Sequence, residues 1–567
     1  MRRALAALVT VAAALAFCGA ASAHAYLVRT VPSAAGFLNS APHQVALTYD
    51  EAVEPRFALI SVTDPAGTQE TTGSPRRSSS DPNTIIVPLR SGLGEGWYLV
   101  YWRAISVDGH PVQGVFTFAV GPNPGPSPEF RVKTVSQTAT SPSIVGGRWV
   151  VLTAVMTAIG LLAFRLGFAR TVRRAVPGAR LEWLTAAFLS ASLGALVFTP
   201  IYLLDATASF ALKSWWDVGT LVPLFRTTAF GRGYVDLELC FALLVVAGAI
   251  AIRLDRPERE RRSVAELLSL LGAALAAGAV LLLPGTSGHP VTTSPRGLSV
   301  ALDWLHLGSG SLWFGGLGGL FILAAALPAG SRLAGLSVVV PRFSNLAICS
   351  VAVLLTTGVV ATVIHMPTLG ALWQTSYGQV ILVKSGLLAG ALVFGTVNHF
   401  KARPALLAGR EITGIFRVSV ATEFAVILGA VLAAAILTSL APPSPALAKE
   451  GSALAKVGPG KVAAVVHRNG YTLKVLVSPN KAVATNSFAL ELDRNGAPVR
   501  GADVKLTFSM LDMQMPNQVF QLTETQPGVY TRPAPALVMA GHWGLEFDVT
   551  PRSGAPFTAF VVDRALG

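Results

Sequence analysis

Between His24 and about Val120 apolar and polar residues alternate in short runs, Gln44 to Tyr49, Ala58 to Val62, Thr84 to Leu89, Trp97 to Arg103 and Val115 to Val120, separated by turn formers. A period of two broken every few residues predicts half-buried strands, so this stretch reads as a small all-β sandwich. The pattern then changes. Eight apolar segments follow, at about 147–169, 183–205, 233–253, 263–285, 298–328, 343–365, 377–399 and 415–440, each near the roughly 20 residues that cross a bilayer core. Alternation returns from 461 to 560, in runs such as Tyr471 to Val477, Ser487 to Leu492 and Val504 to Phe508. The expected fold is an α-helical membrane bundle of eight spans flanked by two extracytoplasmic all-β sandwich domains.

Arg2 and Arg3 precede an apolar stretch from Ala4 to about Phe17 and the small-residue site Ala21-Ser22-Ala23, the form of a secretory signal peptide. Cleavage there makes His24 the mature N-terminus; lipid attachment at Cys18 is disfavoured by the bulky Phe17 before it. The expected division is 1–23 signal peptide, 24–121 first β domain, 122–146 Pro-rich linker, 147–440 membrane domain, 441–460 linker and 461–567 second β domain. Arginines cluster in alternate loops, at Arg170, Arg173, Arg174 and Arg180, at Arg253 to Arg262, at Arg332 and Arg342, and at Arg403 and Arg410. By the positive-inside rule those loops are cytoplasmic, which puts both β domains outside. The signal peptide gives the same orientation independently.

Composition sharpens this picture at a few points. With 52% hydrophobic and 13% charged residues and a mean hydropathy of +0.55, the chain cannot be one soluble globule. The net charge of +14 resides largely in those loop arginines, so it reads as topology and not as a nucleic-acid surface. No Walker A loop is present, so no nucleotide partner is expected. After leader removal only Cys240 and Cys349 remain, both inside apolar runs, which leaves no disulfide framework and no Cys-based metal site.

A mature N-terminal His can close a chelate ring on one metal ion with its free α-amine and its Nδ1. Val107-Asp108-Gly109-His110-Pro111 adds a carboxylate and an imidazole two residues apart, which extended backbone turns to the same side. Three nitrogens and one oxygen make a tetragonal set suited to Cu(II). Residues 24–120 resemble the periplasmic copper-binding CopC family through His24-Ala-Tyr-Leu27, Pro32, Gly36, Leu47-Thr-Tyr-Asp-Glu-Ala-Val-Glu-Pro55, Trp102-Arg-Ala-Ile-Ser-Val-Asp-Gly-His-Pro111 and Gly114. The resemblance implies an immunoglobulin-like β fold with a Cu(II) site formed by the His24 amine and imidazole, Asp108 and His110. Some members add a Met-rich Cu(I) site; this domain has no Met after cleavage. Glu51 reads as a solvated strand residue, with an outer-shell group or an alternative ligand as the other options.

Ionisable groups inside spans need an explanation. Asp303 and His306 share a helix face in the fifth segment, with His306 roughly 12 Å below its outer end at 1.5 Å per residue. Lys384 lies in the seventh segment and Glu423 in the eighth. With His289, His365 and His399 near segment ends, they form a ladder that could relay metal, although each of those three also suits an interfacial position bonded to water or backbone. Asp303-Trp-Leu-His306-Leu-Gly-Ser-Gly-Ser-Leu-Trp-Phe-Gly-Gly316, Trp373-Gln-Thr-Ser-Tyr-Gly378, Lys384 and Asn398-His399 resemble the CopD membrane family, over about residues 145–440. This implies an eight-span inner-membrane protein associated with copper uptake. Residues 461–560 are similar to YtkA-like β domains through Met513-Gln-Met-Pro516, Pro527-Gly-Val-Tyr530 and Gly541-His-Trp-Gly544. Thioethers suit Cu(I), so Met513, Met515 and Met539 with His542 are candidate Cu(I) ligands, and Met510 accompanies them; ordinary core packing is the alternative.

Four functions compete. Copper import fits the intramembrane Asp303, His306 and Glu423, because an anchor needs one span and no charge at lipid depth. Membrane-anchored sequestration would use the spans only as that anchor. Oxidative mono-copper catalysis is disfavoured, since Asp108 would fill the position oxygen needs, and no enzyme activity is expected. Haem ligation by paired histidines would show a Soret band. The expected partners are the lipid bilayer and copper-carrying proteins of the periplasm, such as chaperones.

Overall fold

The computed structural model describes residues 27–33, 36–49, 53–105, 111–125, 141–211, 213–287, 296–366, 368–410, 413–440, 455–457, 462–482, 484–511, 517–538 and 541–565. They fall into a helical unit and a β unit.

In the β unit the first domain has two sheets. One runs in the order β1 (Leu27–Val31), β3 (Gln44–Tyr49), β6 (Thr84–Pro88), β5 (Arg76–Arg77); the other runs β2 (Gly36–Leu38), β8 (Pro111–Val120), β7 (Gly96–Ile105), β4 (Leu59–Thr63). Strand β3 alternates between accessible and buried positions, as its sequence requires of a strand with one face on a core. Val45, Leu47, Tyr49, Val87, Val100, Trp102, Phe116 and Phe118 fill the space between the sheets. Strand β7 is buried along nearly its whole length, on both faces. Its second face has a partner: Leu99, with Val115 of β8, joins the core cluster of the C-terminal domain.

That C-terminal domain is a single sheet in the order β10 (Val462–Arg468), β11 (Tyr471–Ser478), β12 (Asn486–Arg494), β16 (Val529–Ala534), β15 (Gln518–Gln526), β14 (Asp503–Met510), β17 (Gly541–Thr550), β18 (Phe557–Ala565), β9 (Ala455–Val457), with β13 (Ala497–Pro498) beside β12. Its first and last strands lie against each other, so the sheet curls around one core of Leu473, Val475, Phe488, Leu490, Leu506, Phe508, Trp543 and Phe547. The all-β expectation is met with a curled sheet in place of two facing ones.

Among the described residues of the helical unit, eight helices are long and apolar enough to cross a membrane. They are Pro142–Ala175, Glu182–Ala211, Phe230–Leu254, Val264–Pro284, Gly297–Ala326, Ala329–His365, Ser376–Leu407 and Val418–Leu437, here the first to eighth spans. The first and fifth are the most enclosed. They meet through glycine: a Cβ on Gly160 would lie 2.1 Å from Ser311 O, and one on Gly315 2.6 Å from Gly160 Cα. Only a missing side chain lets two helix backbones come so close.

Two of the arginines that the sequence presents as orientation signals, Arg170 and Arg262, together with Arg165 inside the first span, also tie the bundle together at one end. Arg165 pairs with Asp255 at 3.0 Å, Arg170 with Glu266 at 2.7 Å, and the Arg262 guanidinium donates to Leu166 O at 2.8 Å. A helix at Val218–Thr227, between the second and third spans, has no counterpart in the sequence reading; Trp215 and Trp216 before it are exposed.

Candidate functional site

Of the expected Cu(II) ligands, His24, Asp108 and His110 lie outside the described residues, as does Glu51. Their flanking residues are described. Strands β7 and β8 pair up to Ile105 and Pro111, the described residues on either side of the segment that holds Asp108 and His110. The Glu54 N–H donates to that same Ile105 carbonyl at 3.1 Å. Leu27, three residues after His24, pairs with Tyr49, and the Tyr49 ring meets Trp102 edge-on at 5.7 Å. Trp102 in turn pairs with Gly114, where a Cβ would come within 2.8 Å of the indole, so only glycine fits. Burial raises the Tyr49 phenol above its ordinary range, and its hydroxyl has no hydrogen-bond partner among the described residues.

In the helical unit the fifth, sixth and seventh spans bring Asp303, His306, Thr357 and Lys384 together. His306 Nδ1 and Thr357 Oγ1 are 2.9 Å apart. The Thr357 hydroxyl gives its hydrogen to Val353 O, 2.7 Å away, so it accepts from His306, and the imidazole proton sits on Nδ1. The lone pair is therefore on Nε2, which faces Lys384 Nζ at 3.5 Å. Asp303 lies within charge range of the same ammonium. An imidazole lone pair and a nearby carboxylate form the beginning of a metal-binding set, with an ammonium facing the lone pair.

Glu423 does not join this group. Buried in the eighth span, its carboxylate accepts from Trp313 Nε1 of the fifth span at 3.1 Å and from Asn398 Nδ2 of the seventh at 2.8 Å. His399 shares a 2.8 Å hydrogen bond with Ser344 Oγ, and His365 Nδ1 donates to Ala361 O of its own helix at 2.8 Å. His289 is outside the described residues. The ladder of ionisable groups thus resolves into separate loci, and among the described residues no three His, Cys, Asp or Glu side chains are grouped to hold a metal. Thr357 and Trp313 escaped the sequence reading because a lone hydroxyl or indole inside an apolar run carries no signal until its partner helix is known.

In the C-terminal domain Met513, Met515 and Met539 lie outside the described residues, while Met510 belongs to the core. His542, the second residue of β17, lies opposite Arg564, and its carbonyl accepts the Leu511 N–H at 2.8 Å. On the other face of β18, Asp563 is fully enclosed; Asn480 Nδ2 donates to its Oδ1 at 2.9 Å, while its Oδ2 has no partner among the described residues. Burial pushes its carboxyl up to about 6, against the weaker lowering by the Asn480 bond.

Three family models match in order along the chain: CopC domain over residues 27–121, Copper resistance protein D over 337–437, and YtkA-like over 466–548. "Copper transport protein CutJ" of Bacillus subtilis (strain 168) is 28% identical over 530 residues, covering 92% of each chain. "Protein YobA" of Escherichia coli (strain K12) is 37% identical over 98 residues, 17% of this chain and 79% of its own. The crystal structure of CopC from Methylosinus trichosporium OB3b shares 30% identity, covers 18% of this chain and 99% of its own, and aligns with a TM-score of 0.17 on the whole chain. Ordered matches to all three domains, with a likeness to CutJ along nearly the full length, identify the chain as a member of the CopC-CopD fusion family that carries a YtkA-like domain at its C-terminal end.

Proposed function

We propose that this protein captures copper outside the cytoplasmic membrane and passes it inward across that membrane. The observation that carries the reading is the His306 locus, where a histidine lone pair faces Lys384 with the Asp303 carboxylate within charge range of the same ammonium, among three spans. Sequestration behind a mere anchor gives no reason to place such groups at lipid depth. The length of the likeness to CutJ, a protein named for copper transport, supports the same conclusion.

Capture begins with Cu(II) held by the His24 amine and imidazole, Asp108 and His110. In support, Leu27, Ile105 and Pro111, the described residues that flank the candidate ligands, lie on strands joined by the Leu27–Tyr49 and Ile105–Pro111 pairings and the Tyr49–Trp102 ring contact. Met513, Met515, Met539 and His542 form a separate set whose thioethers suit copper that arrives as Cu(I), and periplasmic copper proteins serve as donors. The junction of Leu511 with His542 favours this, since the segments holding those methionines begin or end beside it. Both β domains face outward, in line with the leader and the loop arginines.

Overproduction of the chain followed by fractionation tests the reading. A rise of copper in the cytoplasm is expected, and a rise confined to the envelope would favour sequestration instead.

A further inference from the structure

The Glu423 carboxylate is held by neutral donors: Trp313 Nε1–H reaches one oxygen and Asn398 Nδ2 the other. Asn398 Oδ1 is buried and has no partner among the described residues. Glu423 is itself only 3% exposed, and among the described residues no charged side chain bears on it. Trp313 and Asn398, the groups that face it from the fifth and seventh spans, are neutral. His399, the next residue along the seventh span, is engaged by Ser344 of the sixth, and Arg165 and Arg170 of the first span are paired with Asp255 and Glu266.

A metal ion is a poor occupant. Both carboxylate oxygens already receive N–H donors, whose positive ends would oppose a cation, and the oxygens offer none of the soft ligands that hold copper. A proton suits the site better: it neutralises a carboxylate that, among the described residues, has no counter-ion in a low-dielectric slab. Asn398 also opens a π-helical turn, Asn398–Ala402, a local irregularity that recurs where helices bind or rearrange.

We propose that Glu423 is a proton-carrying site and that the membrane domain exchanges protons for copper. The step is a transfer of H+ alone: Glu423 in its acid form releases a proton to the outer side as a copper cation enters, and the carboxylate is reprotonated from the inner side before the next cycle. The positive charge within the bundle then stays nearly constant, which is the physical advantage of exchange over simple entry. The proposal rests on the transport reading given above.

The test uses the full chain in vesicles loaded with a pH-sensitive dye, with the voltage clamped by valinomycin and potassium and copper added outside. Wild-type vesicles are expected to accumulate copper while their lumen turns alkaline, and Glu423→Gln vesicles to accumulate copper with no more pH change than protein-free vesicles. A pH change that persists undiminished in Glu423→Gln, or copper entry into wild-type vesicles without any pH change, overturns the proposal and leaves the transport reading intact. No copper entry with the wild-type chain overturns both. Where Glu423→Gln halts copper entry altogether, Glu423→Asp decides: entry restored together with alkalinisation supports the proposal, while entry restored without it, or no entry, overturns it.

Discussion

Lys384 Nζ stands 3.5 Å from His306 Nε2, so an ammonium occupies the direction in which this imidazole would bind a metal. The arrangement depends on Thr357, which accepts from Nδ1 and thereby fixes the lone pair on Nε2. Removing that acceptor in Thr357→Val leaves the ring free to rotate and to change tautomer. Copper uptake is expected to fall on the order of tenfold, the usual consequence of losing a group that orients a metal-binding His. Initial uptake rates check this, with Cu(II) affinity of the same chain expected to stay unchanged.

Capture outside the membrane makes a separate prediction. His24→Ala or His110→Ala in the full chain should weaken Cu(II) binding on the order of a hundredfold, about 3 kcal/mol. Titration followed by electron paramagnetic resonance reads it, and one residue added ahead of His24 should act similarly by blocking the α-amine. Unchanged affinity in both substituted chains would remove the Cu(II) site as drawn.

Asp563 gives the C-terminal domain a pH dependence of definite sign. Its carboxyl, raised from 3.8 to about 6 by burial, binds a proton more tightly in the folded state than in the unfolded one. Its contribution is therefore fully present below about pH 4 and is lost as pH rises through 6, by up to about 3 kcal/mol at 1.36 kcal/mol per pKa unit. Hydrogen exchange of strand β18 in the intact chain, corrected for intrinsic rates, should show this decline. Asp563→Asn should flatten it, and equal slopes in both proteins would refute the assignment.

The first and fifth spans cross where Gly160 meets Ser311 and Gly315. Gly160→Leu must push the two backbones apart, and overpacking of this kind costs about 1–3 kcal/mol or more. A lower unfolding midpoint and poorer yield are expected, whereas Gly167→Ala, on the same helix with open space around it, should be tolerated.

Much of the architecture is legible because periodicity reports burial directly. Each apolar segment coincides with one of the eight spans, although the sixth helix starts at Ala329, well before 343, and the seventh runs on to Leu407; the run Gln44 to Tyr49 became β3 with the expected alternation. Strand β7 was harder, since Leu99 is buried by a domain more than 300 residues away, which no local pattern reveals. Among the candidate site residues, Asp303 and His306 were visible through their spacing on one helix face. Their union with Thr357 and Lys384 depends on how three helices rotate against one another. The separation of Glu423 from His306 was hidden for the same reason: both are polar groups in apolar runs, and only packing shows that different partners hold them.

Copper entry into vesicles containing the purified chain, compared between wild type and His306→Ala at equal protein, tests the central claim most directly. The account predicts accumulation in the wild-type lumen and loss of most of it in His306→Ala, with Cu(II) binding outside unchanged. Equal accumulation by the two proteins would contradict a copper path through His306.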